Sequence, residues 1–130
     1  MALRGGEHGR ESRAPLSGRK LYVPQMSRSG AVAFAAAFRS VGFDAEVCPD
    51  SDSRTLELGG RHTSGEECLP ARGTLGHFLK ITERPDFVAS KTAFFMPSAD
   101  GPCRFGQYAP FLRKILRQAG YGDVRVLSPT

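Results

Sequence analysis

Lys91-Thr-Ala-Phe-Phe-Met-Pro97 is the stretch that decides how this chain folds. Residues 93–96 are apolar without interruption, and a proline stops them. A strand with no polar alternation has no side for water, so it belongs in a sheet covered on both faces, which is where parallel strands sit. Pro97 has no N–H to give a ladder and ends the run.

Working outward from this strand, the same punctuation recurs. Lys20-Leu-Tyr-Val-Pro24 is a short β-type run ending at a proline, and Ala45-Glu-Val-Cys48 alternates and ends at Pro49. Val124-Arg-Val-Leu127 is a fourth strand near the end of the sequence. Between them lie helical patterns. Residues 30–41 are Ala-rich, with Val32, Ala35, Ala36 and Phe38 at helical spacing, Ser27 or Ser29 as the cap and Gly42 as the stop. A second helix begins after Cys68, with Pro70 in its first turn and Leu75, Phe78 and Leu79 as its apolar stripe. Gly73 and Gly76 weaken that helix and imply close packing against a neighbour. Residues 105–119 form the best helix. Phe105, Tyr108, Phe111, Leu112, Ile115, Leu116 and Ala119 trace one face, Arg113, Lys114 and Arg117 the other, and Gly120 closes it. Residues 50–66 read as a long polar loop anchored by Leu56 and Leu58. The order β-α-β-loop-α-β-α-β predicts an α/β fold: a Rossmann- or flavodoxin-like parallel sheet of about four strands with helices on both faces.

A chain of 130 residues has room for one domain. Residues 1–19 read as a disordered polar leader and residues 20–130 as the α/β domain. The net charge of +5 is concentrated near the start: residues 1–20 hold five basic and two acidic side chains, the remainder thirteen and eleven. Basicity is therefore mostly a property of the leader. No stripe of interleaved aromatic and basic residues follows it, so no nucleic-acid partner is expected. No apolar run is long enough to span a bilayer, and the first 19 residues lack the apolar core of a secretory signal, so no membrane partner is expected either. Three cysteines without such a signal fit a reducing compartment, the cytoplasm.

The chemistry-bearing residues are those cysteines. Cys68 lies in Thr63-Ser-Gly-Glu-Glu-Cys-Leu-Pro70 and Cys103 in Gly101-Pro-Cys-Arg-Phe-Gly-Gln-Tyr108. Both precede helices and follow glycine or proline turns, an open setting that suits a thiolate ligand better than core packing. Cys48 falls at the carboxyl end of the second strand, in an alternating pattern, where a small buried hydrophobe is the favoured reading and a third ligand the alternative. All three positions map to the carboxyl edge of the sheet, where open α/β folds bind ligands. The spacing, with 19 residues between the first pair and 34 between the second, requires the fold to bring them together and disfavours a zinc ribbon of local Cys pairs. The expected ligand is an iron–sulfur cluster held by Cys68 and Cys103, with Cys48 as a possible third. Gly65, Gly101, Pro102 and Gly106 would open the backbone around it, and Arg104 and Gln107 would flank an anionic ligand. His62 and His77 carry no particular signal: His62 could reach the site edge, but a solvated loop histidine is the favoured reading, and Glu66 and Glu67 suit the dipole of the helix they precede. Two alternatives belong to other classes. One is a metal-free domain binding a nucleotide or CoA moiety at the carboxyl edge, although no glycine-rich phosphate loop follows the first strand. The other is a nucleophilic enzyme built on Cys103, for which only Asp100 and distant histidines could serve as partners.

The two cysteine stretches, with Phe94-Phe-Met-Pro-Ser-Ala-Asp100 leading into the second, resemble the 2-hydroxyacyl-CoA dehydratase superfamily and, within it, the acyl-CoA dehydratase activase-related proteins. The resemblance runs over residues 21–129 and includes Val23-Pro-Gln-Met26 and Leu56-Glu-Leu-Gly59. It implies a [4Fe–4S] or related cluster held by cysteines of Rossmann-like domains, and low-potential electrons delivered by an ATP-hydrolysing activator. Cys68 and Cys103 fall in the family's cysteine motifs. Cys48 matches none, and Glu66 stands where lysine is commoner. Family members are longer, with further cysteines and a second α/β domain, so this chain resembles one lobe or a fragment. The remaining ligands would come from another lobe or from a second copy in a homodimer. As part of a larger assembly it would serve a lyase (dehydratase) or a reductase, and no dehydratase activity is expected of the chain alone.

Overall fold

The computed structural model describes residues 16–129. Most of the expected leader, residues 1–15, lies outside the described residues. Residues 16–19 belong to the fold instead: Leu16 is buried among the core side chains of one sheet face, and Arg19 donates to three main-chain carbonyls.

Four parallel strands, β1 (Lys20–Val23), β2 (Asp44–Val47), β3 (Thr92–Phe95) and β4 (Arg125–Leu127), form one sheet in the order β2-β1-β3-β4. This is the α/β, Rossmann- or flavodoxin-like arrangement that the pattern predicts. The apolar run is the centre of it: every residue of β3 is buried, and Leu21 of β1 pairs with both Ala93 and Ala45. The chain leaves β1 in one direction and later joins β3 in the other, so strand order reverses between these two strands.

One face is covered by α1 (Arg28–Ser40), whose Ser27 cap accepts from the Gly30 N–H and whose exit is turned by Gly42 at φ +96°. The buried residues are Ala31 and Ala35, while Val32 is half exposed. The helix is therefore rotated from its expected stripe. Small residues face Ala45 and Ala93 of the sheet, so α1 lies close to it, and Phe38 fills the remaining gap against Phe43 and Phe95.

The other face carries three helices. The expected loop over residues 50–66 contains a helix, α2 (Ser53–Arg61). A capping box starts it: the Asp52 carboxylate accepts from the Thr55 N–H, and the Thr55 hydroxyl accepts from the Asp52 N–H. Leu58 is its buried anchor, whereas Leu56 is exposed. Next come α3 (Leu69–Thr82) and, after a 3-10 turn at Arg104–Gln107, α4 (Tyr108–Gln118). The stripe Leu75, Phe78 and Leu79 is buried as expected, with Phe78 stacked on Phe94 at 4.6 Å between ring centroids. Burying each such ring contributes about 1.5–3 kcal/mol. In α4 the buried residues are Ala109, Leu112, Ile115 and Leu116. Phe105, Tyr108 and Phe111 are only partly buried, which leaves the start of that helix open at the carboxyl edge. No helix among the described residues is long and apolar enough to cross a membrane.

Candidate functional site

Cys68 lies in the link from α2 to α3, and Cys103 in the link that runs from β3 towards α4. Cys68 is the residue before α3, and Cys103 the residue before the 3-10 turn that leads into α4. Both thiols are exposed. Tyr108, the first residue of α4, has its hydroxyl 2.8 Å from the Cys68 sulfur.

The electrostatics assign the proton in that contact. The bond from Tyr108 lowers the Cys68 thiol below its ordinary value, assisted by the Ala71 N–H of the first turn and by the Arg104 guanidinium. Tyr108 is pushed the other way, first by burial, then by the bond to Cys68 and by the neighbouring Cys103. The contact thus biases Cys68 towards the thiolate and Tyr108 towards the neutral phenol.

Cys48 is different. It is 1% exposed, sits in the core with Leu75, Leu79 and Met96, and burial drives its thiol upward. Its backbone joins the fold, with its N–H donating to Val23 O and its carbonyl accepting from Gln25. The structure thus gives Cys48 the environment of a small hydrophobe, whereas Cys68 and Cys103 face solvent.

The surrounding residues divide similarly. Gly65 and Gly101 adopt φ values of +96° and +131°, a region glycine enters without strain, so both turns rest on glycine. Gly106 has another reason: a Cβ there would lie 2.8 Å from the Ala99 carbonyl, so it lets the residue 98–106 loop close on itself. Pro102 is exposed. Arg104 and Gln107 join Cys68, Tyr108, Phe111 and Lys114 in the wall of a cavity of about 370 Å³ between α3 and α4. A four-iron cluster ordinarily takes four thiolates. Two accessible thiols fit half of that set. Among the described residues no three His, Cys, Asp or Glu side chains gather into a metal-sized group.

Of the histidines, His62 is exposed at the end of α2. His77 is buried on α3, with Nε2 2.5 Å from the Ser51 hydroxyl. Three of these wall residues carry no site signal of their own in the sequence: Tyr108 and Phe111 belong to the apolar face of their helix and Lys114 to the solvated one. Gln107, Phe111 and Lys114 share the spacing of one helix face, which is the signal that could have joined them. No family model matches the chain, and no curated protein or solved structure does.

Proposed function

We propose that this chain is one lobe of an iron–sulfur protein of the 2-hydroxyacyl-CoA dehydratase and activase-related type, supplying Cys68 and Cys103 as two thiolate ligands of a [4Fe–4S] or related cluster. Its role is in low-potential electron transfer driven by an ATP-hydrolysing activator, in a reducing compartment such as the cytoplasm. The observation that carries this reading is that Cys68 and Cys103 are both exposed, each in a turn leading into a helix, in the two stretches that bear the family resemblance, with the Tyr108 hydroxyl 2.8 Å from the Cys68 sulfur.

The remaining ligands come from a partner lobe or a second copy. When bound, such a cluster supplies one-electron transfer at low potential. The chain's own contribution is local. Cys68 offers a sulfur already biased to the thiolate, and the Tyr108 hydroxyl fixes its direction. The turns at Gly65 and Gly101 hold both cysteine loops in their conformations.

Anaerobic reconstitution with ferrous iron and sulfide tests the reading. The chain should develop broad visible absorption at high protein concentration, where two copies can share a cluster. Cys68→Ser and Cys103→Ser should abolish that absorption, and Cys48→Ala should keep it. Equal absorption in both serine variants, or none in the unaltered chain, removes the cluster from these two thiols.

A further inference from the structure

The cavity beside Cys68, about 370 Å³ in volume, falls in the size range of small-molecule sites. Ala71, Tyr108 and Phe111 make an apolar floor, and the same three side chains continue inward as a narrow seam towards Phe78 and Met96. Arg104 and Lys114 stand in its wall. Among the described residues neither has a carboxylate within ion-pair distance. Glu67, the acidic wall residue, is already engaged: its carboxylate accepts from the Ser64 N–H at 2.8 Å and the Ser64 hydroxyl at 3.0 Å.

An apolar floor beside two cations that make no ion pair among the described residues favours one ligand chemistry. We infer that this cavity binds a small amphipathic anion, its apolar body on Ala71 and Phe111, its carboxylate or phosphate head held by Arg104 and Lys114, and one end against Cys68. Neutral apolar molecules would leave both cations unpaired, and a bare inorganic anion would leave the floor wet. The inference rests on the cysteine site named in the proposed function and gives it a ligand class. It needs no iron, so its test uses the metal-free chain, and its failure is separate from failure of the cluster.

The experiment is an NMR titration of the isotope-labelled full chain with octanoate, octyl phosphate, 1-octanol and inorganic phosphate. Octanoate or octyl phosphate should give saturable shifts centred on residues 67–71 and 104–114, and the tighter of the two identifies the head group. Octanol and inorganic phosphate should bind at least about tenfold more weakly. The double variant Arg104→Gln, Lys114→Gln should lose at least about tenfold in affinity while amide dispersion elsewhere stays unchanged, and Lys114→Arg should retain binding. No saturable shift with either amphiphile, equal binding of octanol, or undiminished binding by the double glutamine variant overturns the inference.

Discussion

His77 lies on the buried side of α3 with Nε2 against the Ser51 hydroxyl and Nδ1 without a hydrogen-bond partner. Burial disfavours its imidazolium, the Lys80 ammonium adds repulsion, and Asp50 only partly opposes them, so its pKa falls below the ordinary 6.5. The folded protein holds the ring neutral while the unfolded chain takes up a proton near 6.5. Stability from this group is therefore complete above about pH 6.5, declines as pH falls through the window below it, and levels off once the folded pKa is passed. The slope cannot exceed about 1.4 kcal/mol per pH unit for one proton. Urea midpoints measured from about pH 7.5 to 5 should fall below 6.5, above the range where carboxylates titrate, and His77→Gln should flatten that fall. Parallel slopes in the two proteins would assign the effect elsewhere. The same sensitivity to surroundings separates the cysteines. Their sequence neighbours mark Cys68 and Cys103 as open and the strand alternation favours a buried Cys48, but the residues that seal it, Leu75, Leu79 and Met96, are distant in sequence and have no local signal.

At the scale of elements, the packing of α2 on α3 turns on glycine. A Cβ on Gly76 would lie 1.9 Å from the Thr55 carbonyl oxygen, and one on Gly59 2.0 Å from that of Arg72. Main-chain atoms cannot rotate away, so at each contact a glycine of one helix lies against the main chain of the other. One turn earlier, a Cβ on Gly73 meets nothing within 4 Å. Substitution by alanine should therefore change sign within a single helix. Gly73→Ala should gain about 0.5–1 kcal/mol from helix propensity alone. Gly76→Ala has the same intrinsic gain but forces the helices apart, for a net loss of about 1–3 kcal/mol. Urea denaturation of both variants reads this directly, and a stabilised Gly76→Ala would mean that the helices do not approach so closely. Sequence reasoning identified both glycines as a sign of close packing but could not tell which one made the contact. It also took α2 for loop. That helix exposes Leu56, buries only Thr55, Leu58 and Gly59, and contains two adjacent glycines, so it offers too few apolar residues to read as a helical stripe. The capping box at Asp52 and Thr55 was the readable cue, and it lacks the usual acidic or amide partner at the third helical position.

For the molecule as a whole, the parallel sheet is legible because every strand is short and punctuated and a helical segment separates each strand from the next. Strand order is a property of crossovers, which follow from chain handedness and not from any residue pattern. The amino edge of the sheet was the least legible part. Arg19 read as the end of a polar leader, yet one terminal nitrogen of its guanidinium lies 3.2 Å from Ala89 O, 2.8 Å from Thr92 O and 2.8 Å from Asp123 O. Those carbonyls lie 70, 73 and 104 residues away, so no local signal could have announced the contact. The side chain ties the segment entering β1 to those entering β3 and β4, at the end of the sheet opposite the cysteines. The strand β4 has only three residues and pairs on one side, so it depends most on this anchor. Arg19→Met keeps the aliphatic stem and removes the donors. It should cost about 1–3 kcal/mol, since hydrogen bonds from a charged group to partly buried carbonyls are lost together. Amide exchange should accelerate first in β4 and in Met96, whose N–H donates to Leu127 O, before it accelerates in β2. Uniform acceleration across all four strands, or none, would show that β4 is held by its pairing with β3 and not by Arg19.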